Sequence, residues 1–453
     1  MIFEKLKSKV VSHLSYLIGS GIEAFVVDPQ RDVQPYMQLA KKHGVNIKYI
    51  FETHRNEDYV IGSQELAAQT GAEIYHGIWP EFKYGNKLRD GKKFKVGSLE
   101  VTAIYTPGHT PGCMSFSVVD TLTGDKPVLV CTGDTLFIGD TGRTDFGGPD
   151  VRREWSTNLY ESIHHKLLPL GDHVIICPGH GSGSVCGAKI AKREDSTLGA
   201  ERLMNPQLAM SREEFISYKT LEHHEYAPYF RMMEKYNLEG ASPTGSGKLP
   251  RALTPKQFED MVNQGAIVVD TRPPPAFAAG HIKGSYSIVE ALLGFSGWVL
   301  PFDKPIILVM GNRDNLEWIT SSLARIGFDN VVGYLKGTIV SWYLAAKPVQ
   351  KMDLMLAPDL HGVYNDSEWH VLDVRSVEEY RAGHVPGSSN VYVGTIPNNL
   401  EKIPRDKKLA VICKSGARSG FGCSILLRHD YTFVYNVLGG FTSWKVAGYE
   451  SES

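Results

Sequence analysis

Three side chains suited to metal binding each follow an apolar segment in the first third of the chain. His54, His109 and Asp134 come within a few residues of the ends of apolar runs such as Ile47–Phe51 and Val101–Tyr105. In α/β proteins the loops at the ends of strands are where chemistry is placed. Two imidazoles and one carboxylate are enough for a facial metal site that keeps coordination positions open. The pattern therefore predicts a metal centre assembled from three loops.

A second chemically suited segment is the loop Cys413–Ser419, which follows the apolar run Leu409–Ile412. Its small residues allow the backbone to curl so that N–H groups at a helix N-terminus point at the cysteine sulfur. Such a cradle favours the thiolate, and Arg418 and Lys414 add positive charge. Cys413 is therefore predicted to be a nucleophile. The alternative is a surface cysteine in a tight turn.

Length and composition indicate the class of protein. The 453 residues are too many for one core, so roughly two to four domains are expected. With 48 Lys+Arg against 50 Asp+Glu, the formal charge of −2 gives no support for nucleic acid or an anionic membrane as a partner. No apolar run has the length of a membrane span, and the first residues lack a signal peptide's apolar region, so a cytoplasmic location is expected. Six scattered cysteines do not make a disulfide framework.

The chain must fold so that these loops meet, and its first half has the apolar pattern of strands mixed with helices. The elements expected there are hairpins over 14–28 and 94–104, a helix over 33–42, alternating strands and helices over 115–190 with a helix over 151–167, and mainly helix over 195–237. The Gly-, Ser- and Pro-containing segment 240–247 has the composition of a linker.

Beyond this linker the sequence repeats itself. Asp270 and His281 recur as Asp373 and His384 in matching segments, at a constant offset of 103 residues. About a hundred residues is the size of a domain, so the pattern indicates a tandem duplication of a small α/β domain.

The first copy has lost the nucleophile of the second. At the same offset, Met310 stands opposite Cys413 and Asn315 stands opposite Arg418. Because a thioether cannot ionise or form a persulfide, we expect the first copy to be inactive and retained for packing or for orienting its neighbours.

The three-loop pattern resembles the metallo-β-lactamase fold, an αββα sandwich with the signature H-x-H-x-D-H followed by a histidine, an aspartate and a histidine. Here the signature becomes His54-Arg55-Asn56-Glu57-Asp58-Tyr59, then His109, Asp134 and His180. Asn56 and Tyr59 replace imidazoles that binuclear zinc hydrolases need, so a two-zinc site is not expected. The persulfide dioxygenases of this superfamily use the positions of His54, His109 and Asp134 for iron. The resemblance therefore implies one Fe(II) per chain, and a metal-free relative with structural histidines is the alternative.

Other residues near the signature have open interpretations. His180, Asp58 and Asn56 are expected to orient ligands or substrate, although Asp58 could instead cap the following helix. Arg143 is expected to form a structural ion pair with Asp145 or to contact substrate. Cys186 lies shortly after His180 and is a candidate catalytic residue that carries or accepts sulfur. A small buried core residue is the equally weighted alternative for Cys186.

The second copy of the repeat resembles a rhodanese domain, because Cys413–Ser419 matches the C-x-x-G-x-R-S form of the active-site loop. The first copy then resembles a pseudo-rhodanese. The positions that the resemblance assigns to fold stability are Asp270, Arg272, His281, Asp373, Arg375 and His384. The predicted fold class is α/β multidomain, with a metallo-β-lactamase αββα sandwich over 1–240, an inactive rhodanese-like domain over 249–350 and an active one over 356–453.

As a whole, the chain resembles bacterial persulfide dioxygenase–rhodanese fusions. The resemblance implies that a low-molecular-weight thiol persulfide and O₂ react at the iron to give sulfite, and that Cys413 donates sulfane sulfur to sulfite to give thiosulfate, in sulfide detoxification. Relatives commonly form dimers or tetramers, so a homo-oligomer is expected. Two alternatives stay open: a glyoxalase II-like thioester hydrolase with a metal-activated water, and a non-catalytic sulfur-carrier scaffold.

Overall fold

The computed structural model of the chain describes residues 1–8, 10–187, 189–243 and 249–453. The chain divides into two compact units, residues 1–247 with 324–327 and residues 248–323 with 328–453. The predicted linker over 240–247 lies partly outside the described residues. Within the described ranges, no helix has both the length and the apolar character needed to cross a bilayer.

Two β-sheets form the first unit. One has six strands in the order β1-β2-β3-β4-β5-β6, and the other has five in the order β11-β10-β9-β8-β7. The strands are β1 (Ile2–Lys7), β2 (Leu14–Ser20), β3 (Glu23–Val27), β4 (Asn46–Phe51), β5 (Glu73–His76), β6 (Asn86–Lys87), β7 (Lys93–Val96), β8 (Leu99–Tyr105), β9 (Met114–Asp120), β10 (Pro127–Gly133) and β11 (Ile175–Pro178). The predicted hairpins are confirmed, because β2 pairs antiparallel with β3 and β7 with β8.

An apolar core lies between the two sheets, and helices cover the outer faces. Phe51 of the first sheet stacks on Phe116 of the second with ring centroids 4.7 Å apart. Tyr36 and Leu66 cover the outer face of the first sheet, and Leu159 covers that of the second. The helices are α1 (Gln34–His43), α2 (Ser63–Thr70), α3 (Pro149–Glu161), α4 (Leu198–Met204), α5 (Arg212–Leu221) and α6 (Phe230–Glu239). The predicted αββα sandwich is confirmed.

The local sequence explains where these elements begin and end. Helix α1, expected over 33–42, has proline in its first turn and ends at Gly44, whose φ of 64° is left-handed. The helix expected over 151–167 is α3 continued by a wider turn over Ser162–Leu167. Strands β8 and β10 both run antiparallel to β9, so they end at the same edge of their sheet. The loops after β8 and β10 therefore start side by side.

The second unit contains two parallel sheets with the same topology. Their strand orders are β12-β16-β15-β13-β14 and β17-β21-β20-β18-β19. The strands are β12 (Arg251–Leu253), β13 (Ile267–Asp270), β14 (Tyr286–Ser287), β15 (Ile306–Val309), β16 (Val331–Leu335), β17 (Asp353–Met355), β18 (Trp369–Asp373), β19 (Ser389–Asn390), β20 (Lys408–Ile412) and β21 (Val434–Val437). The helices are α7 (Pro255–Asn263), α8 (Pro274–Ala279), α9 (Ser296–Val299), α10 (Leu316–Arg325), α11 (Thr338–Leu344), α12 (Ala357–Val363), α13 (Val377–Arg381), α14 (Ala417–Arg428) and α15 (Gly440–Val446). Equal strand order confirms the tandem duplication.

The two copies pack against each other within this unit. The backbone N–H of Ser287 donates to Oγ of Ser424 on α14 across 3.0 Å. The indole of Trp298 fills the space beside Gly394, where a Cβ atom would lie 2.5 Å from the ring. The helix that follows the Cys413 loop is thus in contact with the first copy.

Candidate functional site

Three buried side chains from three loops meet in the first unit. His54 follows β4, His109 follows β8 and Asp134 follows β10, and each is at most 2% exposed. Nε2 of His54 lies 3.8 Å from Oδ2 of Asp134, and Nε2 of His109 lies 3.6 Å from the same oxygen. The structure therefore brings together the three residues that the sequence predicted as metal ligands.

Hydrogen bonds on the far side of each imidazole leave Nε2 facing the pocket. Nδ1 of His109 lies 2.9 Å from the carbonyl oxygen of Arg143, so Nδ1 must be the donor. Nδ1 of His54 lies 2.9 Å from Oγ1 of Thr53, whose own proton goes to Oδ2 of Asp28 across 2.7 Å. In the neutral imidazoles both Nε2 atoms then carry a lone pair, which is the state that metal coordination requires.

Asp28 is a residue of the site that sequence reasoning missed. It follows β3, the parallel neighbour of β4, and its Oδ1 also accepts the backbone N–H of Thr53 across 2.8 Å. Burial raises the pKa of Asp28 to about 7, and its φ of 46° is left-handed. The sequence did contain a signal for this role, because Asp28 is an acidic residue directly after β3, the parallel neighbour of the strand that leads to His54.

His180 lies between two carboxylates beside the pocket. Its Nδ1 lies 2.8 Å from Oδ1 and 3.0 Å from Oδ2 of Asp134, and its Nε2 lies 3.1 Å from Oδ2 of Asp58 without hydrogen-bond alignment. The contact of Nδ1 with both oxygens holds the Asp134 carboxylate in place while Oδ2 also approaches the two metal-binding imidazoles. The helix-cap alternative for Asp58 is wrong, because α2 begins only at Ser63 and has no side-chain cap.

The surroundings of the three predicted ligands shift their pKa values in different directions. Burial lowers the pKa of His54 to about 4, so this imidazole is neutral. Burial also lowers the pKa of His109, but the carboxylates of Glu57 and Asp134 outweigh it and hold the value above the ordinary one. Burial alone would raise the pKa of Asp134, yet the neighbouring imidazoles, His180 first, hold it well below its usual range. Asp134 is therefore an anionic ligand.

Glu57 is a second residue of the site that sequence reasoning missed. Its side chain is fully buried, and Oε2 lies 3.8 Å from Nε2 of His54 and 3.7 Å from Nε2 of His109. None of the described residues gives a hydrogen-bond partner to Oε2 or to either Nε2 atom. Buried polar atoms without partners are rare, and here they converge on one point. The donor set of two imidazoles and carboxylate oxygen fits a single divalent cation.

The two signature positions at which binuclear enzymes have histidines here carry Asn56 and Tyr59, and these side chains make other contacts. Asn56 donates weakly to the carbonyl oxygen of His54 across 3.4 Å, and the ring of Tyr59 stacks on His13 with centroids 3.9 Å apart.

Cys186 lies beside the same pocket. It is 1% exposed, and its Sγ lies within 4.8 Å of ligand atoms of His109 and Asp134 and, separately, of Asp58 and His180. Burial raises the pKa of the Cys186 thiol well above its ordinary value.

Arg143 forms the ion pair expected for it. Its Nε and Nη2 atoms lie 2.6 and 2.7 Å from the two carboxylate oxygens of Asp145. The guanidinium also lies over the ring of Phe146, whose edge approaches His109 at a centroid distance of 5.3 Å. Through its carbonyl oxygen, Arg143 therefore positions His109 and needs no contact with substrate to do so.

The second copy of the repeat holds Cys413 in the predicted cradle. Sγ accepts the backbone N–H of Gly416 across 3.1 Å and lies 3.3 Å from the hydroxyl of Ser419, which donates to Oδ1 of Asn436 across 2.6 Å. Gly416 has a φ of 102°, a conformation that favours glycine and turns the loop towards the sulfur. Arg418 is paired with Glu379, its two Nη atoms lying 2.5 and 2.7 Å from the carboxylate oxygens.

The first copy has a different loop at this place. Met310 is 4% exposed, and Asn315 donates to Oε1 of Glu290 across 2.7 Å. Leu316 begins α10 at the position of Ser419, so the hydroxyl beside the sulfur is missing along with the thiol.

Comparisons with known proteins agree with this architecture. Residues 9–180 match the family model described as the metallo-beta-lactamase superfamily, and residues 254–345 and 356–447 each match that of the rhodanese-like domain. Over 214 residues the chain is 31% identical to "Persulfide dioxygenase ETHE1, mitochondrial" of Bos taurus, covering 45% of this chain and 74% of that protein. The chain belongs to the metallo-β-lactamase superfamily.

Two further relatives of this superfamily show the range of similarity. Over 207 residues the chain is 30% identical to "Hydroxyacylglutathione hydrolase GloC" of Haemophilus influenzae, covering 41% of this chain and 87% of that protein. A crystal structure of a metallo-beta-lactamase from Staphylococcus aureus subsp. aureus COL superposes with a TM-score of 0.65 at 28% identity, covering 74% of this chain and 98% of that chain. The predicted fold class, a metallo-β-lactamase sandwich followed by two rhodanese domains, is confirmed, as is the resemblance to the persulfide dioxygenase–rhodanese fusions.

Proposed function

We propose that the first unit is a non-haem Fe(II) dioxygenase that oxidises the terminal sulfur of a low-molecular-weight thiol persulfide to sulfite. The observation that carries the proposal is that the Nε2 atoms of His54 and His109, which have no partner among the described residues, both lie within 3.8 Å of Oδ2 of Asp134, and that all three side chains are buried. His54, His109 and Asp134 would hold one ion. The loop that supplies a second metal site in binuclear relatives here carries Asn56 and Tyr59.

The proposed reaction balances as RSSH + O₂ + H₂O → RSH + SO₃²⁻ + 2H⁺. The terminal sulfur loses four electrons, which reduce O₂, and the S–S bond breaks with return of the carrier thiol. When bound, Fe(II) supplies the redox chemistry that brings O₂ and sulfur together. The protein's part is to fix the imidazoles through Thr53 and the Arg143 carbonyl, to orient Asp134 through His180, and to exclude water.

We infer a sulfurtransferase function for Cys413. Its thiolate attacks the sulfane sulfur of a second persulfide, giving a Cys413 persulfide and RSH, and sulfite then takes that sulfur to give thiosulfate and the free thiolate. The hydrogen bond from the Gly416 N–H to Sγ supports this, because it stabilises negative charge on sulfur. Carrying both activities on one chain raises the local concentration of sulfite without new contacts. Sulfide detoxification is the proposed biological purpose.

Domain boundaries and assembly belong to the same proposal. We place the dioxygenase over 1–240, the inactive rhodanese-like domain over 249–350 and the active one over 356–453. The family matches over 254–345 and 356–447 fall inside these limits, which supports them. A homo-oligomer is proposed from the resemblance to the fusions.

O₂ uptake with analysis of both products tests the proposal. Anaerobically iron-loaded protein is given a thiol persulfide, and O₂, sulfite and thiosulfate are measured. We expect His109→Ala to abolish uptake, while Cys413→Ser keeps uptake and shifts the product from thiosulfate to sulfite. The exposed His165→Ala serves as the control for loss of a histidine. Unchanged products in Cys413→Ser would remove the transferase half and favour a carrier or scaffold.

A metal-dependent thioester hydrolase is the second candidate function. The ligand atoms of Asp58, His180 and Cys186 lie within 4.8 Å of one another, and GloC is among the relatives. Metal analysis separates the two functions. One iron per chain supports the dioxygenase, and two zincs per chain with thioesterase activity support the hydrolase.

A further inference from the structure

Glu57 presents an unused oxygen to the proposed iron pocket. The residue lies in the loop after β4, three residues beyond His54, and its side chain is 0% exposed. Oε2 is almost equidistant from the two imidazoles, 3.8 Å from Nε2 of His54 and 3.7 Å from Nε2 of His109. Both distances are too long for hydrogen bonds. No described residue partners this oxygen.

The other carboxylate oxygen of Glu57 is held from behind. Nη2 of Arg55 lies 3.3 Å from Oε1 and also 3.3 Å from Oε2 of Glu234 on α6. The Arg55 guanidinium lies 5.8 Å from the ring centroid of Trp79. One oxygen is thus anchored to a cation at the edge of the pocket, and this directs the other oxygen inward.

The charges of Glu57 and Asp134 explain why a cation would be needed between them. A buried carboxylate is unfavourable unless it is paired or coordinates a metal. The pocket already contains the anionic Asp134, so a second inward carboxylate oxygen repels it unless a cation lies between them. Two carboxylates match the charge of one divalent ion, and two neutral imidazoles add no charge.

We propose that Glu57 is a fourth protein ligand, through Oε2, of the cation held by the two histidines and Asp134. The inference rests on the proposed iron site and deepens it. If the ion is six-coordinate, two histidines and two carboxylates would leave two positions open, where the facial triad would leave three. These two positions would be enough for the persulfide and O₂.

Iron binding without any sulfur substrate tests this inference. The wild type, Glu57→Gln and Glu57→Asp are loaded with Fe(II) anaerobically. Affinity is measured by competition with a chromophoric chelator, together with the Fe(II)-dependent rise in Tm and the EPR spectrum of the nitric oxide adduct. We expect Glu57→Gln to weaken iron binding at least tenfold, to reduce the rise in Tm, and to change the rhombicity of the nitrosyl signal. Glu57→Asp keeps the charge on a shorter side chain, so its iron affinity is expected to lie between those of the wild type and Glu57→Gln.

Glu52→Gln is the matched control. Glu52 is a buried glutamate after the same strand, and both of its carboxylate oxygens accept from the hydroxyl of Tyr84, at 3.0 and 3.1 Å. This variant is expected to match the wild type in all three measurements. Wild-type affinity and an unchanged nitrosyl spectrum in Glu57→Gln would overturn the inference, as would a wild type that binds no iron. Tight iron binding without persulfide-dependent O₂ uptake would instead refute the proposed function and leave Glu57 as a ligand.

Discussion

Nδ1 of His180 lies 2.8 Å from Oδ1 of Asp134 and 3.0 Å from Oδ2 of the same carboxylate. Oδ2 also lies 3.6 Å from Nε2 of His109. Gly179 makes the approach possible, because a Cβ atom there would lie 2.6 Å from Oδ1. His180 therefore belongs to the metal centre as a positioning residue.

The first prediction concerns this contact. His180→Ala removes the donor to Asp134, and loss of such an outer partner costs about 10–100-fold in metal affinity. His180→Asn places an amide N–H near the former Nδ1 and is expected to recover part of the loss. Chelator competition under anaerobic conditions measures both. Equal affinity in His180→Ala and the wild type would show that Asp134 needs no support.

A second prediction concerns the chain from Asp28 through Thr53 to His54. Thr53→Val keeps the shape of the side chain but leaves the His54 Nδ1–H and Oδ2 of Asp28 buried without their shared partner. An unsatisfied buried polar group costs about 1–3 kcal/mol. Since about 1 kcal/mol shifts the Tm of a domain of this size by about 2–4 °C, a fall of several degrees is expected by calorimetry, with weaker iron binding.

Thr157→Val is the control for this substitution. Among the described residues, the hydroxyl of Thr157 bonds to the carbonyl oxygen of Arg153 in its own helix, 2.9 Å away. Little change is expected there. If both threonine variants lost the same stability, the proposed chain through Thr53 would have no special importance.

How far the sequence predicts the site depends on how local each contact is. His54, His109 and Asp134 were predictable, because each follows an apolar run that ends at a recognisable point. Glu57 was not predictable, because a carboxylate in a loop is ordinarily solvated and Glu57 stands at an unspecified position, an x, of the H-x-H-x-D-H signature. Asp28 was missed because its bond to Thr53 spans 25 residues and depends on β3 and β4 being neighbours.

In the two repeats, too, the sequence predicted the arrangement of elements but not a contact between residues far apart in the chain. The shared offset was enough to predict the duplication, and the identical strand orders follow from it. The pairing of Arg418 with Glu379 spans 39 residues and was not predicted. Arg418 was expected to add positive charge beside Cys413, but its guanidinium is held bidentately by that carboxylate, so its net contribution at the sulfur is reduced.

The third prediction is a pH dependence of stability from His281. Burial lowers the pKa of His281 to about 4, against about 6.5 in an unfolded chain. Between these values the unfolded state binds a proton that the folded state does not, so stability is present above pH 6.5 and is lost as the pH falls towards 4. The loss amounts to about 2 kcal/mol at pH 5.

Thermal unfolding at several pH values measures this effect. Comparison of the wild type with His281→Gln between pH 7.5 and pH 5 isolates the histidine, because the other titrating groups are common to both. We expect the variant to lose less stability on acidification. Parallel profiles would contradict the assignment.

The fourth prediction is that Met310→Cys does not restore sulfur transfer to the first copy. Sγ of Cys413 accepts the N–H of Gly416, whose φ of 102° favours glycine. The first copy has Arg313 in place of that glycine. In a Cys413→Ser background, mass spectrometry after incubation with thiosulfate should find no persulfide at position 310. A stoichiometric persulfide there would show that the thiol alone is sufficient.

The indole of Trp298 beside Gly394 has a consequence for any attempt to separate the two copies. Trp298 belongs to the copy that lacks the nucleophile and packs so closely on the other copy that a Cβ atom at position 394 would lie 2.5 Å from its ring. A protein shortened to residues 356–453 would lack this ring, and the surface that the ring covers would be exposed, which favours aggregation. The first copy can therefore be without chemistry of its own and still be needed by the second.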